Sequence, residues 1–470
     1  MEKIKFGTDG WRGVIGDDFT FANVRRVAAA TAEYVRAEGE PARGLVVGYD
    51  TRFLSAESAR LAAEVVAATG IPVVLADRDT PTPAISYAVV SRKAAGAIVV
   101  TASHNPYTWN GVKFKAPYGG SAAPSIIRRI EAHLHKLDLG PRRAHKRKAA
   151  IIETADLITP YLERLKELVH PDRIRASGRK FVIDPMYGAA RGCIARLFAE
   201  AGIPHTEIHG EHNPIFPGLN PEPIEPHVED LRRAVRAGNY DAGFATDGDA
   251  DRIGAIDRNG EFIDSHKIFC ILLKHLVENL GQRGEVVKTF STTTMVDKLC
   301  RHFDLPFHVT PIGFKYITEL MLTRDVLIGG EESGGIAIKG PVPERDGILN
   351  SLLLAQVMAD AGKTLGELVD ELSRQFGPHH YARLDLEIER AAIERVMRQL
   401  QQHKVKTIAG LKVTATEDLD GIKLLFGNTA WLLVRPSGTE NLLRLYAETP
   451  SLEQTKALLE KMAAIAKGQT

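Results

Sequence analysis

At 470 residues the chain is long enough for about three domains of roughly 150 residues each. Its 44 % hydrophobic and 25 % charged residues are ordinary for a soluble globular protein, and 60 basic against 59 acidic side chains leave a net charge of +1. No global field therefore favours nucleic acid or a membrane surface.

The opening Met1-Glu-Lys-Ile-Lys-Phe-Gly7 has no apolar core of signal-peptide length, and no uncharged apolar run is long enough to span a bilayer. The cysteines, Cys193, Cys270 and Cys300, are dispersed and lack CxxC spacing. That fits a reducing cytoplasm and argues against a disulfide framework or a zinc site. A cytoplasmic enzyme without nucleic-acid or membrane partners is the expectation.

Along the chain, one pattern recurs. An apolar strand is followed by a turn and a helical stretch, then by a strand announced by an apolar residue and Pro, then by a third strand. The first block runs from Gly44-Leu-Val-Val-Gly-Tyr-Asp50 through Ile71-Pro72 to Ala94–Val100, and leaves by Thr101-Ala-Ser-His-Asn-Pro106. A lone serine in such a turn reads as a helix cap, and the G-x-S-x-G elbow of a hydrolase is absent. The basic run of residues 142–148 contains no aromatic residues and reads as a solvated linker.

The second block runs from Lys180-Phe-Val-Ile-Asp-Pro185 through Ile203-Pro204 to Tyr240–Thr246, and leaves by Asp247-Gly-Asp-Ala-Asp251-Arg252. Three carboxylates at alternate positions repel one another unless a cation joins them, and hard oxygen ligands suit Mg²⁺ or Ca²⁺. An EF-hand would need Gly and Glu at its sixth and twelfth positions, where this chain has Arg252 and Arg258. A turn of backbone-capping Asp side chains accounts for one or two of them and poorly for three.

The third block runs from Glu285-Val-Val-Lys-Thr289 through Leu305-Pro306 to Asp325–Gly329, and leaves by Gly330-Glu-Glu-Ser-Gly-Gly335. Strands alternating with helices predict α/β units with mixed, mainly parallel sheets, whose ligands bind beyond the strands' carboxyl ends. Three unusual loops at one point of a repeat predict a shared cleft. Nucleotide motifs are missing: Gly362-Lys-Thr364 lacks the upstream Gly of a P-loop, because position 357 is Val.

After about residue 375 the pattern changes to a smaller α+β domain. Trp431-Leu-Leu-Val434 leads into Arg435-Pro-Ser-Gly-Thr-Glu440 and then Leu442-Leu-Arg-Leu-Tyr446. A guanidinium, hydroxyls and free amides around a glycine suit a phosphate. The predicted divisions are 1–148 with the serine loop, 149–257 with the acidic loop, 258–376 with the Gly-Glu-Glu-Ser loop, and 377–470 with the Arg435 loop.

Together these loops resemble the α-D-phosphohexomutase superfamily. Gly7-Thr-Asp-Gly-Trp-Arg-Gly13 is similar to its N-terminal signature, Thr101–Pro106 to its phosphoserine loop, and Asp247–Arg252 to its metal loop. Gly330–Gly335 is similar to its sugar-binding loop and Arg435–Glu440 to its phosphate-binding loop. All five stand in the family's order across essentially the whole chain. The resemblance implies three α/β domains and a mobile fourth around a central cleft, in a monomer or homodimer acting on hexose phosphates.

It also implies reversible transfer of phosphate between the 1- and 6-positions of a hexose. Ser103 would carry the phosphoryl group, with hexose 1,6-bisphosphate as intermediate and activator. Mg²⁺ would be held by Asp247, Asp249, Asp251 and an oxygen on Ser103. Arg12, His104 and Lys113 match positions used for acid–base and electrostatic work. Arg252, Lys288, Lys315, Glu331, Ser333, Arg435, Ser437, Gly438 and Thr439 match substrate contacts.

Gly330-Glu-Glu-Ser333 and Gly313-Phe-Lys-Tyr316 are similar to phosphoglucomutases, which favours glucose, with mannose second. The alternatives are phosphomannomutase or phosphoglucosamine mutase specificity, a Mg²⁺-dependent sugar phosphatase, and a catalytically silent sugar-phosphate binder.

Overall fold

The computed structural model describes residues 4–7, 10–138, 149–340, 342–402, 404–437 and 441–469. The chain divides into two compact units. The first comprises residues 1–285 and 313–367, the second residues 286–312 and 368–470.

In the first unit, a six-stranded sheet has the order Trp11–Val14, Trp109–Lys115, Ala97–Val100, Leu45–Tyr49, Val73–Ala76 and Ile152–Ala155. Leu45–Tyr49 runs parallel to both Ala97–Val100 and Val73–Ala76, whereas Ala97–Val100 is antiparallel to Trp109–Lys115. Successive side chains on a strand point to opposite faces, so a strand buried on both sides reads as a continuous apolar run. Leu45, Val47, Ile98 and Val100 accordingly enter a core with Val24, Val27 and Ala63. Val46, Ala97 and Val99 enter another with Ile85, Val89 and Leu157.

The second sheet has the order Phe262–Ile263, Ile253–Asp257, Ala242–Thr246, Phe181–Asp184 and His205–Glu207. Ala242–Thr246 lies parallel to Phe181–Asp184 and antiparallel to Ile253–Asp257. The third pattern repeats this return, with Val326–Gly330 antiparallel to Ile336–Ile338. Each unusual loop thus joins a central strand to an antiparallel strand that comes straight back. The helix Gly347–Ala361 follows, and Asp346 caps it by accepting from the Leu349 amide.

In the second unit, residues 286–289 of the strand Glu285–Thr289 lie parallel to Phe307–Thr310, from Val286↔Phe307 onward. A five-stranded antiparallel sheet follows, with the order His380–Glu387, Leu442–Thr449, Trp431–Pro436, Ile422–Leu425 and Ala415–Glu417. Alternation again sorts the faces. Leu432, Val434, Leu443 and Leu445 pack with Ile393, Val396, Leu458 and Met462 of the helices Arg390–Gln401 and Leu452–Ala466. Trp431, Leu433 and Tyr446 pack with Phe290 on the other side.

The mixed sheets of the three α/β domains and the α+β C-terminal domain agree with the architecture read from the sequence. Among the described residues, no helix is long and apolar enough to cross a membrane.

Phe244 stands two residues before the end of its strand, fully buried and stacked on Phe181 at 5.4 Å. Phe244→Ala is expected to cost about 3–5 kcal/mol of stability through lost burial and the cavity left behind. A urea titration followed by circular dichroism checks this, and an unchanged midpoint would contradict it.

Candidate active site

Ser103 lies in the loop between Ala97–Val100 and Trp109–Lys115, 1 % exposed, with φ at +54°. A left-handed conformation is uncommon for a residue with a side chain and persists only where the surroundings hold it. Its amide donates to Thr101 Oγ1 at 2.8 Å, and its carbonyl accepts from Arg52 Nη2 at 2.5 Å. Its hydroxyl donates to Asp247 Oδ2 at 2.8 Å and lies 3.3 Å from His104 Nδ1. Burial and the charges of Arg252, Arg12, Arg52 and Lys113 push His104 well below the usual imidazole range, which favours a neutral ring. Arg12, on the edge strand, donates to Asn105 Oδ1 at 2.5 Å within the same loop.

Asp247, Asp249 and Asp251 are all buried, with one ligand oxygen from each within 4.8 Å of the others. The loop winds around Asp247, whose Oδ1 accepts the amides of Asp251 and Arg252 at 2.9 and 3.1 Å. Gly248 is required by close approach, because a Cβ there would sit 2.4 Å from the Ser103 carbonyl oxygen.

The strand Trp109–Lys115 delivers Lys113, whose Nζ lies 2.8 Å from Asp249 Oδ2 and 3.4 Å from Asp251 Oδ2. Arg345 Nη2 lies 2.6 Å from the same Asp251 oxygen. Burial, then the charges of Asp251 and Asp249, push Asp247 well above the usual carboxylate range. Burial also pushes Asp249 upward, but the Lys113 ammonium and the Thr82 hydroxyl outweigh it and hold Asp249 well below. Asp249 Oδ1 and Asp251 Oδ1 are buried and accept no hydrogen bond. Two orphaned carboxylate oxygens beside a third carboxylate fit a hard divalent cation such as Mg²⁺.

Arg252 is buried, with Nη1 3.3 Å from Glu222 Oε1, and His104 Nε2 lies 3.9 Å from that oxygen. The Gly330–Gly335 loop begins at the end of its strand. Glu331 is 7 % exposed, and burial raises its carboxyl to about 7. Arg345 Nη1 approaches Glu331 Oε2 at 3.6 Å, so one guanidinium touches both the acidic loop and this one. The amide of Ile253 also donates to the Gly334 carbonyl at 3.1 Å. Ser333 is half-buried in the same loop. Lys315 opens the helix Phe314–Thr323, half-buried, with Nζ 5.3 Å from the centre of the Tyr316 ring.

In the second unit, Lys288 is buried, ion-paired with Asp297 and donating to the Thr293 carbonyl at 3.0 Å. Arg435 ends the strand Trp431–Pro436, with Nε 2.8 Å from Asp420 Oδ1. Ser437 donates its amide to the Leu442 carbonyl at 2.8 Å, starting the return strand. Gly438 and Thr439 lie outside the described residues.

The structure therefore brings Ser103, His104, Arg12, Lys113, the three Asp residues, Arg252 and Glu331 into connected contacts. Four further contributors went unnoticed in the sequence: Arg52, Thr82, Glu222 and Arg345. Arg52 had a signal, because Asp50-Thr-Arg52 leaves the first strand of its block as the serine loop leaves the third. Glu222 and Arg345 had none, since each acts on residues distant in sequence.

Phosphoglucomutase/phosphomannomutase family models match the chain four times. The α/β/α domains I, II and III cover residues 3–140, 159–260 and 264–376, and the C-terminal domain covers 389–465. A phosphoglucomutase/phosphomannomutase of Thermococcus kodakarensis is 30 % identical over 455 residues, spanning 97 % of this chain and 96 % of that protein. A phosphoglucosamine mutase of Limosilactobacillus reuteri is 30 % identical over 473 residues, spanning 99 % of both. A crystal structure named for a phosphomannomutase of Thermus thermophilus superposes with a TM-score of 0.88 at 36 % identity, covering 99 % of this chain and 100 % of that one. With four matched domains in order and a buried serine bonded to a buried acidic triad, the chain belongs to the phosphoglucomutase/phosphomannomutase family of the α-D-phosphohexomutase superfamily, whose members are isomerases that move a phosphoryl group.

Proposed function

We propose that this enzyme interconverts hexose 1-phosphates and hexose 6-phosphates, with glucose preferred, through a phosphoserine at Ser103 and a hexose 1,6-bisphosphate. The observation that carries the reading is the 2.8 Å bond from the Ser103 hydroxyl to Asp247, at a residue held in a left-handed conformation. A capping serine would instead accept a helix amide.

In this reading a bond forms between Ser103 Oγ and the phosphorus of the bisphosphate as the bond from phosphorus to sugar oxygen breaks. The serine proton leaves toward His104 Nδ1, 3.3 Å away and neutral, or toward Asp247. It returns to the sugar oxygen. The reverse transfer carries the phosphoryl group from Ser103 to the free hydroxyl of a hexose monophosphate, and the bisphosphate so formed turns over and returns its other phosphate to Ser103. Arg12, Lys113 and Arg252 supply positive charge around the transferring group. Bound at Asp247, Asp249, Asp251 and an oxygen on Ser103, Mg²⁺ would neutralise charge on the phosphoryl group. Glu331 and Ser333 would take sugar hydroxyls, with Lys288 and Lys315 at the substrate. Arg435, Ser437, Gly438 and Thr439 would hold the distal phosphate.

Relatives at equal identity carry different sugar names, so the preference for glucose rests on Glu332 and on Gly313-Phe-Lys-Tyr316. A coupled assay with Mg²⁺, primed by the matching bisphosphate, compares the 1-phosphates of glucose, mannose and glucosamine. Conversion to 6-phosphates, fastest for glucose, is expected. Release of inorganic phosphate would make the enzyme a phosphatase.

Ser103→Ala is expected to lower turnover at least about 10³-fold at an unchanged unfolding midpoint, as for loss of other catalytic nucleophiles. Near-normal turnover would remove serine as carrier. Arg435→Ala removes a charge-assisted contact of about 1.5–3 kcal/mol, roughly ten- to hundredfold in sugar-phosphate affinity. Mg²⁺ affinity by calorimetry should stay unchanged; equal loss of both would rule out a separate phosphate site.

A further inference from the structure

Arg52 is a cation fully withdrawn from water that spends its side chain on backbone carbonyls. Its side chain is 0 % exposed. Nη1 donates to Pro106 O at 2.8 Å and Trp109 O at 3.0 Å, while Nη2 donates to Ser103 O and Asn105 O, both at 2.5 Å. Nε faces Asp50 Oδ2 at 3.2 Å, and the guanidinium lies 5.1 Å from the Phe216 ring centre. One planar fork therefore gathers four carbonyls from a seven-residue stretch, 103 to 109, that carries the serine.

A buried guanidinium is costly, and pairing with one carboxylate would not require it to face the loop. The same Asp50 oxygen accepts from Thr101 Oγ1 at 2.6 Å, and Thr101 Oγ1 accepts the Ser103 amide at 2.8 Å. Ser103 is thus gripped at its carbonyl by Arg52 and at its amide by Thr101, with Asp50 joining the two. Both grips act on a residue whose φ is +54°. That conformation aims Oγ at Asp247.

We infer that Arg52 and Thr101 form a clamp that holds Ser103 in its left-handed conformation and so sets the rate of phosphoryl exchange at its hydroxyl. Arg52 is a positioning residue, since it acts on Ser103 through the backbone. The inference rests on Ser103 being the phosphoryl carrier. A lysine would keep the charge and lose the fork, because an ammonium on a flexible stem cannot reach four carbonyls at once.

The test uses the full chain with Mg²⁺, carrying Arg52→Lys or Thr101→Val. Three quantities are measured: kcat and KM for glucose 1-phosphate, the single-turnover rate of labelled phosphoryl transfer from glucose 1,6-bisphosphate to Ser103, and the unfolding midpoint. For Arg52→Lys, kcat and the transfer rate should fall on the order of 10²-fold, the scale on which small misplacements of reacting groups act, while KM moves far less. Thr101→Val, which removes one of the two grips and keeps the side-chain shape, should give a smaller fall of the same kind.

Wild-type rates in Arg52→Lys, or rates that return to wild type when normalised to folded protein, would overturn the clamp. If Arg52→Lys does not fold, Thr101→Val decides, and an unchanged transfer rate overturns the proposal. Wild-type protein that takes no label on Ser103 would refute the carrier reading and the clamp with it. Labelled wild type with equally fast variants would refute the clamp alone.

Discussion

Asp247, Asp249 and Asp251 are fully buried carboxylates whose ligand oxygens lie within 4.8 Å of one another, and the surrounding structure answers this concentration of like charge. Buried charges cost several kcal/mol each unless paired and hydrogen-bonded. Lys113 and Arg345 approach on one side, Thr82 donates its hydroxyl to Asp249, and two backbone amides satisfy Asp247. None of these occupies Asp249 Oδ1 or Asp251 Oδ1. Structural cations thus offset part of the repulsion and leave oxygens for an ion, so the site folds without being closed.

The recurring sheet arrangement puts those groups in reach. In each repeat the loop leaves a buried central strand and the chain returns antiparallel at once. The return strand can then carry polar side chains inward beside the loop, as Trp109–Lys115 does with Lys113 and Lys115. Both lysines are buried, one against Asp249 and the other 2.5 Å from Glu344. Glu344 stands 3.2 Å from Arg345 Nε, so the chain of charges runs from this strand to the loop that leads into the helix Gly347–Ala361.

Strands of this kind were legible in the sequence because burial on both faces makes them continuous apolar runs bounded by Pro or Gly. The first block's third strand begins at Ala97 rather than Ala94, since Gly96 at φ +145° breaks the extended run before it. Lys113 has no sequence feature that separates it from a surface lysine; its counter-ions arrive from more than 130 residues away. Arg345 is hidden for the same reason, and Ile152–Ala155 because its residues are mostly exposed. The three carboxylates could be read because ligand chemistry fixes their residue type at short spacing, whereas the serine stood out only through the resemblance of its loop to a family's. Partners fixed only by folding could not be read.

The acidic loop and the Gly330–Gly335 loop are mechanically one object. A backbone bond from Ile253 to Gly334 ties them, and Arg345 touches Asp251 on one side and Glu331 on the other. Arg345 holds Asp251 through Oδ2 and leaves its Oδ1 without a hydrogen bond, while its Nη1 approaches Glu331, whose carboxyl burial raises to about 7. The serine is held through its own amide and carbonyl by Thr101 and Arg52, and meets the acidic loop through its hydroxyl at Asp247. Within the first unit the backbone of the proposed phosphoryl carrier is thus held by contacts distinct from the guanidinium that the two loops share.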